Sequence, residues 1–447
     1  MEQYIEFYNC EQAAVNGNSA PVLNSLRKEA LEVVSSTSLP KLGEENYHIT
    51  DFDKIFAGNY GINSNRLNIP TDVTEAFRCD VPNLSTLLFY VVNDSFVHSK
   101  QSPKLPEGVI VESLCKAAKE HPELVAEYYG KYAKISDPQV ALNTLLAQDG
   151  LFIYIPDNVV LEKPVQVVNI ANSMVPMMVN RRVLIVAGRN SQAKVLLCDH
   201  TQKNSAEMLI NQVMEVVSCE NSVLDVYDME ESAPNTTRVS SLFSKQMDDS
   251  NLLVNNITLM NGVTRNSTDI DIAGVHAETQ LYGMAICQGR QVVDNYTFIG
   301  HNTPHCNSRE LFKYLLDGDA KGCFGGKIYV AEGADKIEAY QSNNNIIASE
   351  NAKMYTKPQL EIYTDDVKCS HGATIGQLDQ NAMFYMRTRG ISEKEARMLL
   401  MQAFMEDIIE KVRLEALHDR LRMLVEKRLS GSTYQCGDCG LKCGKEN

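Results

Sequence analysis

Apolar positions along the chain change their period twice. In residues 1 to about 145 they recur at three-to-four spacing, and LNSLRKEALEVV (23–34), GVIVESLCKAAKE (108–120) and HPELVAEYYGKYA (121–133) predict amphipathic helices. Between them STLLFYVVNDSFVHS predicts a hairpin turning at Asn93-Asp94. Near Asp149 the pattern switches to short β-branched runs such as VLIVAGRNSQAKVLLCD, SNLLVNNITLM and LEIYTDDVKCSHG, separated by Gly, Asn, Asp and Ser. Helical spacing almost vanishes there, apart from a turn expected at SRELFKYLL (308–316). It returns after Ser392 and Glu395, an S-x-x-E capping box. Ala396, Leu399, Leu400, Ala403, Phe404 and Ile408 then make one apolar face, continued by Val412, Leu417, Leu421 and Leu424, so one kinked helix or two helices end near Leu429. The expected organisation is a mostly helical segment over 1–145, a β core over 146–380, a helical segment over 381–430 and a cysteine-containing flexible tail over 431–447.

So many strands without intervening helices fit a β-sandwich, a barrel or a parallel β-helix. Turn-strand cassettes start near 190, 221, 250 and 277, and again near 334 and 351. The period is irregular, but the length of the strand region, tight N-G, N-S and D-S turns within the cassettes, and Asn343, Asn344 and Asn345 as corner asparagines favour the β-helix. An end rung of such a solenoid is a row of unpaired backbone groups, and helical segments on both sides are expected to cover the two ends.

Composition narrows function mainly by exclusion. With 44% hydrophobic and 22% charged residues the chain is an ordinary globular one, not a disordered one. Its 42 basic and 57 acidic residues leave a formal charge of -15, which opposes non-specific binding to nucleic acid or anionic lipid. The start MEQYIEFYNCEQAAV lacks a basic segment followed by an apolar one, and no stretch approaches the roughly 18 apolar residues of a membrane span, so a soluble cytoplasmic protein is expected. Phosphate-cradling glycine motifs, H-E-x-x-H and G-x-S-x-G are absent, so any ATP hydrolysis would belong to a partner.

The candidate chemistry is thiol and imidazole. In DDVKCSHGATIG (365–376) an extended backbone puts Cys369 and His371 on one face, a soft thiolate beside an imidazole, suited to iron, zinc or an iron-sulfur cluster. Two ligands do not close a site, so the others would come from elsewhere, most simply from a second chain. The plainer alternative is a packed cysteine beside a histidine bonded to a carbonyl. HNTPHCNSREL offers His301, His305 and Cys306, better suited to a structural loop because His305 and Cys306 are adjacent. The tail residues Cys436, Cys439 and Cys443 could wrap one soft metal ion but lack a fourth ligand. The other dispersed cysteines are expected mostly as buried free thiols.

Four long stretches carry a family resemblance: ALNTLLAQDGLFIYIPDNVVLEKPVQV (141–167), FIGHNTPHCNSRELFKYLLDGDAKGCFGGKIYV (298–330), AYQSNNNIIASENAKMYTKPQLEIYTDDVKCSHGATIGQLD (339–379) and FYMRTRGISEKEARMLLMQAF (384–404). Through them the sequence resembles the SufB/SufD family of iron-sulfur cluster assembly scaffolds, more closely its D-type member. The N-terminal match is weaker, with Tyr47 where the family usually carries tryptophan. The resemblance implies a right-handed parallel β-helix between helical domains and a non-catalytic scaffold that pairs with a SufB-type homologue and docks the SufC-type ABC ATPase. It also implies cysteine desulfurase and sulfur carrier as indirect partners, a transient nascent cluster with His371 as an interface ligand and Cys369 as a less supported neighbour, and a link to reduced flavin. Residues 384–429 correspond to the ATPase-docking part, the isolated chain could form a homodimer, and the tail cysteines depart from the D-type pattern. Two other function classes stand beside it: a metal-binding adaptor centred on the cysteine tail, and a β-helical carbohydrate-active enzyme, against which the lack of tryptophan counts.

Overall fold

A computed structural model describes residues 1–71, 73, 85–98 and 103–430. Cys79 and the tail thiols Cys436, Cys439 and Cys443 lie outside the described residues. The first segment contains helices α1 (Glu2–Gly17), α2 (Pro21–Asn24), α3 (Arg27–Ser36) and α4 (Phe52–Phe56), then strands β1 (Leu87–Val92) and β2 (Ser95–Val97). These two strands form the expected hairpin, with Asn93 at φ 57° in its turn. The stretch 108–120 is not one helix. Ile110–Ser113 is strand β3, paired antiparallel to the first core strand, and helix α5 (Leu114–Glu120) begins only at the Ser113 cap. Helices α6 (Pro122–Tyr128) and α7 (Pro138–Leu146) complete the segment.

The core is a two-walled parallel β-solenoid. One wall holds β4 (Gly150–Ile155), β6 (Met177–Ala187), β8 (Met208–Ser218), β10 (Thr236–Gln246), β12 (Val263–Ile272), β14 (Val292–His301), β16 (Lys321–Val330) and β18 (Lys353–Ile362). The other holds β5 (Val165–Ala171), β7 (Gln192–Thr201), β9 (Val223–Glu231), β11 (Asn251–Met260), β13 (Glu278–Cys287), β15 (Asn307–Leu316), β17 (Ile337–Ile347) and β19 (Val367–Gly376). Successive strands alternate between walls, so each turn adds one strand to each. Inward positions such as Leu197, Val226, Val254, Leu281, Phe312 and Ala339 on one wall face Ile185, Val216, Leu242, Ile270, Ile299 and Ile328 on the other in one continuous apolar core. The segment 308–316 is therefore strand, not helical turn. Ser308, Glu310, Phe312 and Tyr314 alternate inward while Lys313 faces out, and tertiary burial overrides the local helical spacing.

The corner that leads from the β4 wall to the β5 wall sets the period. Asn158, Asn190, Asn221, Asp249, His276, His305 and Lys336 occupy equivalent places, all with φ between 54° and 63°. Asparagine, aspartate and histidine tolerate this left-handed geometry better than most residues. Asn190 Nδ2 donates to Asn158 Oδ1 at 2.9 Å and Asn221 Nδ2 to Asn190 Oδ1 at 2.8 Å, so the corner is a stacked ladder. The cassette starts near 190, 221, 250 and 277 coincide with it. Asn343, Asn344 and Asn345 are not corners; they lie inside β17, where Asn343 Nδ2 bonds the Phe312 carbonyl and Asn345 Nδ2 the Thr374 carbonyl.

The helices cover the walls, not both ends. The N-terminal helices lie on the outer face of the β4 wall, with Tyr4, Tyr8, Leu142 and Leu145 against Met178, Leu209 and Val239. At the other end of the chain α8 (Gln380–Thr388) is followed by two helices, α9 (Glu393–Ile409) and α10 (Glu415–Leu429), and the Ser392 hydroxyl accepts the Glu395 N–H as the capping box requires. These pack sideways on the β5 wall: Met401, Met405, Ile408 and Leu417 meet Tyr227, Leu253, Tyr282 and Leu315. The buried stripe is thus rotated from the expected one, leaving Leu399 and Ala403 exposed. Among the described residues, no helix lies across the last rung, β18 and β19.

Candidate functional site: the open last rung

β18 and β19 end their sheets, each with a neighbour on one side only. β19 pairs with β17 in register from Ile337↔Val367 to Ile346↔Gly376. Its outward positions are tied down by the Lys368–Glu338 ion pair at 2.8 Å and by Thr374 Oγ1 donating to Asn344 Oδ1 at 3.0 Å. The far edge presents unpaired N–H and C=O groups, the usual template for strand addition. Large apolar side chains gather at the same end, with Tyr363 55% and Ile375 48% exposed. An apolar rim beside an unpaired edge marks an interaction surface.

Cys369 and His371 both occupy inward positions of this strand, opposite Ala339 and Gln341. The sequence expectation that they share a face holds, but their surroundings differ. Cys369 is half-buried against the apolar core, and burial pushes its thiol above the usual range, partly offset by a backbone hydrogen bond at Ala339. It is therefore a protonated wall residue at neutral pH in the isolated chain. His371 is exposed, at the mouth of the lumen. Among the described residues no group of three or more His, Cys, Asp or Glu side chains could hold a metal.

The other sequence candidates separate. His301 is buried, its Nε2 paired with Ser308 Oγ at 2.9 Å, and burial lowers its pKa to about 4, so it is neutral. His305 belongs to the corner ladder, its ring 5.1 Å from that of His276. Cys306 is buried with Sγ 3.2 Å from the Gly274 carbonyl oxygen, and burial raises its pKa. The loop is structural. Five of the eight described cysteines are buried, Cys219 and Cys369 are intermediate and Cys10 is exposed.

Two features escaped sequence reading. The N-terminal arm crosses the β4 wall beside the last rung: Thr50 Oγ1 donates to Asp294 Oδ2 at 2.5 Å, Glu45 pairs with Lys357 at 2.9 Å, and the Arg265 guanidinium lies 4.8 Å from the Tyr47 ring. A cavity of about 420 Å³ remains between arm and wall, lined by His48, Tyr296, Cys323 and Tyr355 among others. The lumen also carries charge. Arg181 donates to Asp199 at 2.5 Å and Arg238 to Asp228. Burial would raise Asp199, but the two arginines outweigh it and hold the carboxyl low. The signal in sequence was faint: polar residues at every second place of strands whose other inward positions are apolar.

Comparison with known proteins finds relatives along most of the chain. The model for the SUF system FeS cluster assembly SufBD core domain matches residues 168–404, and that for the SufBD protein N-terminal region matches residues 1–167. An iron-sulfur cluster assembly SufBD family protein of Synechocystis is 28% identical over 94% of this chain and 94% of its own length. The iron-sulfur cluster assembly protein SufD of Bacillus subtilis is 27% identical over 91% of this chain and 94% of its own. SufD of Escherichia coli is 35% identical over 41% of this chain and 44% of its own. Among the described residues no helix is long and apolar enough to cross a membrane.

Proposed function

The chain belongs to the SufBD family of the SUF iron-sulfur cluster assembly system, and on that premise we propose that it is a scaffold subunit whose open last rung receives a SufB-type homologue. The observation that carries this reading is β19: an edge strand, free along its outer side, bearing an exposed histidine and an apolar rim at the end of the solenoid opposite the one that β1, β2 and β3 continue. A partner solenoid docked edge to edge continues both walls, satisfies the unpaired backbone and brings its own soft ligands opposite His371. The nascent cluster is then cargo held across the interface. Cys369 supports the wall rather than the cluster, since its raised thiol has to lose a proton before it can bind metal.

The exposed Phe384 and Tyr385 on α8, 71% and 60% accessible, are the surface for the SufC-type ATPase; α8 leads into the two helices that pack on the outer face of the β5 wall. The test is co-expression with SufB-type and SufC-type partners, comparing cluster content of wild type, His371→Ala and Cys369→Ala. His371→Ala is expected to lower iron and sulfide per complex severalfold while Cys369→Ala changes them little. Unchanged cluster content in an intact His371→Ala complex contradicts the ligand role. The same edge could pair two copies of this chain, and the solution mass of the isolated protein distinguishes that state from a monomer.

A further inference from the structure

Behind His371 the lumen holds a polar column in register across three strands: Glu310 pairs with Gln341, and Gln341 with His371. Glu310 is buried and accepts hydrogen bonds from Thr297 Oγ1 at 2.5 Å and Gln341 Nε2 at 2.7 Å. An ionised carboxylate can only accept, so it fixes the Gln341 amide with Nε2 toward Glu310 and Oε1 away from it. That Oε1 is buried and has no hydrogen-bond partner. Space for the column is kept by Gly326 on the facing wall, where a Cβ would collide with Gln341 Nε2 and come within 2.9 Å of Thr297 Oγ1. A buried acceptor left unpaired is costly, and the next inward side chain, one strand spacing of about 4.8 Å away, is the imidazole of His371.

We infer that Gln341 is a positioning residue for His371: its Oε1 accepts one imidazole N–H, fixing the neutral tautomer and leaving the opposite nitrogen free to face the end of the solenoid. Glu310 sets the direction of the Gln341 amide, and Gly326 gives it room. Histidines that bind metal commonly donate their other N–H in this way, which orients the ring and raises its basicity. The importance of the arrangement for cluster binding rests on the ligand reading above, whereas the hydrogen bond is a property of this chain alone. The inward neighbours of Glu310 in the column and across the lumen, Leu281, Thr297, Gly326 and Gln341, are all uncharged, and burial raises its carboxyl to about 7. At pH 8 it is therefore mostly ionised and acceptor-only.

The experiment uses the full chain with ¹⁵N-labelled histidine at pH 8, with His371→Ala to assign the His371 signals. In wild type the ratio of the two neutral tautomers of His371 should depart from that of histidine in an unstructured peptide by about fivefold or more, the factor worth one net hydrogen bond. Gln341→Met, close in volume and lacking the acceptor, should return the ratio to the peptide value, and Gln341→Asn, which withdraws the amide by one methylene, should move it the same way. A ratio in wild type equal to that of histidine in an unstructured peptide, or one unchanged in whichever of the two variants folds, overturns the inference. Cluster content of co-expressed complexes separates the two ideas. Loss of cluster in His371→Ala with no tautomer effect of Gln341→Met sinks the positioning role and leaves the ligand reading standing. A clear tautomer effect with no cluster loss in His371→Ala does the reverse.

Discussion

Glu230 and Glu310 are fully enclosed in the lumen, and burial raises both carboxyls to about 7 from an ordinary 4.5, despite hydrogen bonds from Thr264 and Ser232 to the first and from Thr297 and Gln341 to the second. Between those values the folded state binds more protons than the unfolded one, so their contribution to stability is greatest below about 4.5 and falls as pH rises through 7. Replacing both by glutamine should flatten that limb, read as a smaller drop in the denaturant midpoint between pH 5 and 8 than in wild type. A drop of equal size in the variant would mean that other groups govern the pH dependence. The same scale explains why the candidate site was only half legible. The spacing Cys369-x-His371 placed both residues on one face, but only burial separates a wall thiol from an exposed imidazole. His301, His305 and Cys306 are close in sequence yet lie in a strand end, a corner and a core.

At the scale of elements, the corner ladder restricts its side chains through the backbone. Each of its residues holds a left-handed φ, which costs a branched side chain roughly 1–2 kcal/mol. Asn221→Val should therefore destabilise by that amount or more, since it also removes the bond to Asn190, while Asn221→Gly should cost less; urea unfolding compares them. Equal losses would mean that the ladder, not the backbone geometry, sets the cost. The C-terminal helices lead to a second expectation. Phe384 and Tyr385 are exposed, so the double alanine variant should keep its unfolding midpoint, because surface changes are usually worth within about 0.5 kcal/mol, yet fail to co-purify the SufC-type ATPase. Retained co-purification would move the docking surface elsewhere. The apolar face expected at Leu399 and Ala403 turned out to be solvent-facing. Met401 and Met405 take the buried positions instead, because where a helix lies is decided by the wall it meets, a contact between residues far apart in sequence that no local pattern carries.

For the molecule as a whole, the two-walled solenoid was visible in the sequence because its corners recur: turn residues near 190, 221, 250 and 277 mark one edge of successive turns. The strand at 308–316 was hidden, since its local spacing imitates a helix and only stacking between β13 and β17 makes it extended. The uncovered end was hidden too. Sequence supplied two flanking helical segments and the physical need to cap a solenoid, but the C-terminal helices fold back onto the β5 wall and leave the last rung bare. That bare rung is the centre of the functional account, and amide hydrogen exchange on β19 probes it directly. In the isolated chain the outward-edge amides of Val367–Gly376 should exchange fast while those bonded to β17 are slow, and adding the SufB-type homologue should protect the fast set. If the complex forms and those amides stay unprotected, the partner docks elsewhere and the open-rung account is wrong.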